Sequence, residues 1–285
     1  MKYIPKYIPK KIPEGINVSS RHPLLNFAYL VGTVVLASIL IFVVLGFIAS
    51  FLATRVSPAT ESKMADMLVL PLDKEIQDEK RTLYLGNLLN SLSISGETTR
   101  LPLKVHLIDS EVINAAITIG GHVLIHTALL ETIESENELA FVLAHELGHF
   151  QARDPLKSLG RPLVFMVVST AIGLSLFKSN GLPEIISLTF ELTNLSYSRT
   201  QERVADLYGF YQVVNHYGHG GYSLDFFKRL NEGNSLISKY FVSHPLSQER
   251  IDYLKNEAAK KGWKMEGDKT PLPQWLHCPK MAPCE

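Results

Sequence analysis

Two histidines four residues apart, with a glutamate directly after the first, carry the most specific chemistry in the chain: Leu143-Ala144-His145-Glu146-Leu147-Gly148-His149. On a helix, His145 and His149 project from one face a turn apart, close enough for both rings to bind one metal ion. Glu146 then stands beside that ion, where it can take a proton from water whose pKa the metal lowers towards about 7. A catalytic zinc takes three protein ligands and keeps one position open, so the pair needs a third donor from elsewhere. Glu202 is the choice; Asp206 lies four residues further on, on the same helical face. The plainer alternative is two histidines on a helix surface, and the rest of the chain has to decide.

The elements that would position these residues are legible in part. Ser135-x-x-Glu138 spells a capping box, and Glu136 and Glu138 suit the positive end of a helix that runs through His145. Asp154-Pro155 marks its end. Residues 73–93 carry leucines at helical spacing behind Asp73 as a cap. Leu101 to Ile108 and His122 to His126 read as short strands around a turn, with Gly120-Gly121 before the second. An exposed edge of such a sheet can pair with an extended peptide through main-chain hydrogen bonds.

Lys plus Arg and Asp plus Glu balance at 28 each, so no global field recruits nucleic acid. Residues 1–26 form a tail whose repeated Lys-Tyr-Ile-Pro spelling forbids a helix. Residues 27–54 read as a transmembrane anchor: Phe27 to Leu52 would reach roughly 39 Å as a helix against a hydrocarbon core of about 30 Å. Lys2, Lys6, Lys10, Lys11 and Arg21 precede the span, against Arg55, Lys63 and Lys74 after it. That bias puts the N-terminus in the cytoplasm and the rest outside it, facing the periplasm or cell exterior if the membrane is a bacterial inner one. Membrane lipid is therefore an expected partner. Small-residue spacings at Ala28 and Gly32 leave a homo-oligomer open without requiring one. Cys278 and Cys284, the only cysteines, lie far from the histidines and are not zinc ligands; a bridge between them stays open.

His-Glu-x-x-His, followed about fifty residues later by Ser198-Arg199 with Glu202, Ala205 and Asp206, resembles the membrane-associated zinc metallopeptidases grouped around HtpX and the CAAX prenyl endopeptidases. The likeness runs over roughly residues 62–255 and includes Asn114-Ala115, Gly120-Gly121-His122, Ser243-His244-Pro245 and Arg250-Ile251. The upstream strand departs from the family's pattern, with Ala116-Ile117-Thr118-Ile119 where an aromatic and a proline are expected. The resemblance implies one Zn2+ per chain held by His145, His149 and Glu202, with Glu146 as general base and Asp206 orienting a histidine ligand. His244 would either stabilise the oxyanion or occupy the open zinc position in a resting form, and Arg250 is a further candidate against an ordinary surface arginine. His122 and His126 alternate with apolar residues and read as polar-face positions, while His216 and His219 sit in a glycine-rich loop; none of the four is assigned to the site.

If His149 and Glu202 meet at one ion, the apolar run Pro162 to Phe177 cannot cross the bilayer once between them. Residues 156–200 are therefore expected to form an apolar, membrane-proximal helical hairpin inside a domain spanning 62–262, with 263–285 as a C-terminal tail. The expected fold is α+β, mainly helical, a gluzincin-type metallopeptidase domain with a small β-sheet behind one transmembrane helix. The expected function is a membrane-anchored zinc endopeptidase for peptide or protein substrates, in quality control or processing at the membrane. The alternative is a membrane-tethered binding or chaperone-like protein with weak catalysis.

Overall fold

The computed structural model describes residues 23–68, 74–93, 101–160, 197–231, 244 and 248–277. Most of the expected hairpin, both cysteines and the neighbours of His244 lie outside these residues. The chain divides into two compact units, residues 1–44 and 45–285. In the first, α1 (Pro23–Ala53) begins; its apolar side chains are mostly exposed, and its length and composition suffice to cross a bilayer. The last turns of α1 belong to the second unit, which is mainly helical.

In that unit α2 (Pro58–Leu68) precedes a four-stranded sheet. Its strands are β1 (Glu75–Ile76), β2 (Lys104–Ile108), β3 (Ala115–Ile117) and β4 (His122–His126), in the order β1-β2-β4-β3. Between β1 and β2 lies α3 (Glu79–Leu92), capped by Asp78, whose side chain accepts from the Arg81 N–H. The cap is thus five residues later than Asp73, because residues 75–76 pair with β2 instead of winding. The two strands expected to flank a turn are parallel, Lys104 opposite His122. The chain reaches the far edge as β3, reverses at Gly120 (φ 76°) and Gly121 (φ 79°), and returns as β4 antiparallel to β3. A left-handed backbone suits glycine there. A Cβ on Gly120 would also lie 2.2 Å from that of Ala65 in α2.

After α4 (Thr127–Thr132) comes α5 (Glu136–Gln151), buried from Asn137 to Phe150. Ser135 caps it by accepting from the Glu138 N–H, but the Glu138 carboxylate turns to Arg229 and to the Glu134 N–H, so only half of the expected capping box forms. Against α5 crosses α6 (Arg199–Tyr217), where Ser198 and Gln201 close a full capping box. A short α7 (Asp225–Asn231) and α8 (Gln248–Lys261) follow. The core lies between α3, the sheet, α5 and α6, centred on Leu85, Leu107, Ile125, Phe141 and Phe210.

Residues 263–277, expected within the tail, pack on this core through Trp263, Leu272, Trp275 and buried Leu276. Thr270 holds the start of α5, accepting from the Glu136 N–H and donating to Asn137 Oδ1. Apolar area and these hydrogen bonds hold the segment against the core.

Candidate active site

His145, Glu146 and His149 leave α5 on the side covered by α6, and Glu202 leaves α6 towards them. The crossing is close because glycines line it. A Cβ on Gly148 would stand 2.8 Å from Ala205 Cα, and one on Gly209 would stand 2.8 Å from the His145 nitrogen. His244 enters from a third segment. One donor atom from each of His145, His149, Glu202 and His244 lies within 4.8 Å of the others, and all four residues are buried.

The spacings of these atoms are informative. His145 Nε2 is 3.2 Å from His149 Nε2 and 3.2 Å from His244 Nδ1. Glu202 Oε1 is 3.5 Å from His149 Nε2 and 3.1 Å from His244 Nδ1, while Oε2 is 3.6 Å from His145 Nε2. A tetrahedron of donors about 2.0–2.2 Å from a zinc ion has edges of roughly 3.3–3.6 Å. The donor set fits that ion.

A carboxylate on the far side of each ring fixes which nitrogens are free. His145 Nδ1 lies 3.1 Å from Asp206 Oδ1, and His149 Nδ1 lies 3.0 Å from Asp154 Oδ2. Both acids are held ionised. Burial opposes this, but Arg250 and His145 pull the Asp206 pKa below the usual carboxylate range, and His149, Gln201 and Lys157 do so for Asp154. Each Nδ1 therefore carries the proton that faces its acid; with both rings neutral, each Nε2 would present a lone pair to the other across 3.2 Å. Two facing lone pairs call for a positive charge between them. In the metal-free chain His149 supplies it: burial disfavours the imidazolium, but hydrogen bonds to Asp154 and Glu202 outweigh burial and raise its pKa to about 9. Burial dominates at His145, whose pKa is lowered.

Arg250 is buried, not a surface arginine. Its Nε and Nη2 each stand 2.7 Å from an Asp206 oxygen, and Nη1 stands 2.7 Å from Glu202 Oε2. One planar cation thus orients the third donor of the cluster and the acid behind the first. Glu146 Oε2 accepts from the Ile117 N–H of β3 at 3.1 Å, and Oε1 stands 3.3 Å from His244 Nε2.

Two contributors went unread in the sequence. Asp154 was seen only as a helix end, and Tyr197, stacked on His149 with ring centroids 4.0 Å apart, carried no spacing signal at all. The four histidines left unassigned lie elsewhere. His122 is buried against His106, with Nδ1 2.9 Å from His106 Nε2, rather than on a wet face, because α2 and the Gly120 turn cover it. His126 bonds the Val112 carbonyl, His219 bonds the Gly221 N–H, and His216 sits in the last turn of α6 against Tyr217.

The family model of peptidase family M48 matches residues 79–258. The beta-barrel assembly-enhancing protease of Yersinia pestis is 28% identical over 195 residues, 64% of this chain and 40% of that one. That of Escherichia coli K12 is 26% identical over 220 residues, 72% of this chain and 45% of the relative. The mitochondrial metalloendopeptidase OMA1 of Schizosaccharomyces pombe is 26% identical over 173 residues, 60% of this chain and 51% of the relative. The chain thus spans about half or less of the length of these relatives.

Proposed function

The chain belongs to peptidase family M48, and on that premise we propose that it is a membrane-anchored zinc endopeptidase whose site is built from His145, His149 and Glu202 as metal ligands and Glu146 as general base. The observation that carries this reading is the pair of Nε2 atoms facing each other at 3.2 Å with one Glu202 oxygen near each. When bound, zinc would polarise the scissile carbonyl and acidify water. Glu146 would take the proton from the attacking water and pass it to the leaving amine, its carboxylate aimed by the Ile117 N–H. The same contact sets the general base beside the edge strand β3, where an extended substrate backbone can add itself to the sheet. Asp206 and Asp154 would hold the two ligating rings in one tautomer, and Arg250 would orient both Glu202 and Asp206.

His244 offers a fourth donor to the same cluster, which supports the resting-form role over the oxyanion role. A permanently closed four-donor site would instead support the binding or chaperone-like alternative. Expression of His244→Ala tests this: relief of a block raises peptidase activity, loss of an oxyanion donor lowers it by about 10–1000-fold, and the binding reading predicts no activity in either form.

For the architecture we propose residues 1–26 as a cytoplasmic tail, 27–54 as the anchor, 62–262 as the peptidase domain extended by the packed segment 263–277, and 156–200 as a membrane-proximal hairpin. The names of the relatives support protein substrates and work at a membrane, and quality control or processing there is the role we infer. The narrower likeness to HtpX and the CAAX prenyl endopeptidases rests on the motifs alone. The experiment that tests the whole reading is Glu146→Gln in the full chain: zinc should stay bound at one per chain while cleavage of an unfolded protein falls by about 100-fold or more. Unchanged cleavage in that variant would refute it.

A further inference from the structure

We infer that Arg153 is a positioning residue that makes the end of α1 part of the metal site. This rests on the reading of His149 as a metal ligand. Arg153 follows Ala152, the C-cap of α5, and precedes Asp154, the acid that bonds His149. Its φ is 59°, a left-handed value that a residue with a Cβ keeps only when its surroundings fix it.

The surroundings do fix it. Arg153 is buried, with Nη1 donating to the Ala53 carbonyl at 3.1 Å and to the Val56 carbonyl at 2.6 Å. Ala53 is the last residue of α1 and Val56 lies three residues beyond it, so the cation sits at the end of the helix that its dipole favours. Nη2 stands 3.4 Å from Glu61 Oε2, and the other oxygen of Glu61 accepts from the Gly120 N–H at 3.3 Å. Gly120 lies in the turn after β3, the strand that aims Glu146. One buried cation therefore ties the end of α1 to the segment that leaves α5 towards Asp154 and, through Glu61, to the turn behind the edge strand.

A small separate core surrounds this joint: Ala53, Ala65, Ile119, Leu156 and Leu159. Residues 154–160 are helical, and a Cβ on Gly160 would stand 3.0 Å from that of Ala49. The exit from α5 is thus pressed onto the last turns of α1, and the Arg153 fork sets the backbone angle at which Asp154 turns back under His149. Without that fork Asp154 can leave the His149 Nδ1, and the ring loses its fixed tautomer.

The test uses the full chain in detergent micelles, with zinc affinity measured by chelator competition alongside unfolding temperature and the kcat and KM for an unfolded protein. Arg153→Gly removes the side chain and relieves the backbone. It should bind zinc about 10–100-fold more weakly, with kcat reduced and KM nearly unchanged, and Arg153→Lys should recover part of the loss. Asp154→Asn added to Arg153→Gly should cost little more, since both act through one contact. Glu61→Gln, which keeps the volume, should weaken zinc in the same direction and carries the test if Arg153→Gly does not fold. Zinc affinity within about twofold of the parent in every folded variant, whatever the unfolding temperature, overturns the inference. His149→Ala separates the two levels: if it leaves zinc binding intact the underlying reading fails, whereas if it abolishes binding and Arg153→Gly does not weaken it, only the role of Arg153 fails.

Discussion

At the scale of single residues, Arg250 holds the charge balance, since it is the cation bonded to both Asp206 and Glu202 in a fully enclosed place. Its removal leaves two buried carboxylates short of their partner. Arg250→Ala should destabilise the metal-free chain by about 3–5 kcal/mol in urea unfolding, and Arg250→Lys should recover little because an ammonium cannot bridge two carboxylates with a planar fork. The sequence offers Arg250 only through a motif, against an ordinary surface arginine, since burial depends on how α8 meets α6. Asp154 shows the same limit from the other side: its role exists only because the left-handed turn at Arg153 folds it back under His149, and φ 59° is not written in the residue type. His145 and His149, by contrast, need nothing but helical periodicity to face one way, which is why they were readable first.

At the scale of elements, the site depends on how near α5 and α6 can come. Gly209 has no room for a methyl against the His145 backbone. Gly209→Ala should therefore push the helices apart, costing about 1–3 kcal/mol of stability and weakening zinc binding together, whereas Gly218→Ala, with open space around it but a φ of 76°, should cost stability alone. Calorimetry and chelator competition on both variants would separate the effects. α5 and α6 were legible from their caps and periodicity. The sheet was legible only as strands: the alternation in Leu101 to Ile108 and His122 to His126 fixes faces, not partners, and the parallel register appears once β3 takes the edge. The cap of α3 was misplaced for a similar reason, as Asp73 and Asp78 both precede a helical pattern and only pairing with β2 chooses between them.

For the whole molecule, metal and proton both bear on stability. If zinc binds the folded chain alone, then at free zinc about a thousandfold over its dissociation constant the ion adds roughly 4 kcal/mol of stability, and chelation should remove that contribution and lower the unfolding temperature. His122 adds a pH term. Burial, and then His106 and Lys104, lower its pKa to about 4, against about 6.5 in an unfolded chain. Between those values the unfolded chain binds the extra proton, so this contribution is complete above pH 6.5 and is lost as pH falls towards 4. Urea midpoints at pH 7 and pH 5 should differ less in His122→Gln than in the parent, and an equal difference would remove His122 from the account. The four-donor cluster also has a consequence for biosynthesis. Its members lie at positions 145, 149, 202 and 244, so a chain still being translated through α5 owns two of them and no third. On the proposed reading, the ligand set His145, His149 and Glu202 is complete only after α6 has emerged and crossed α5, so the hydrolytic site forms late in synthesis.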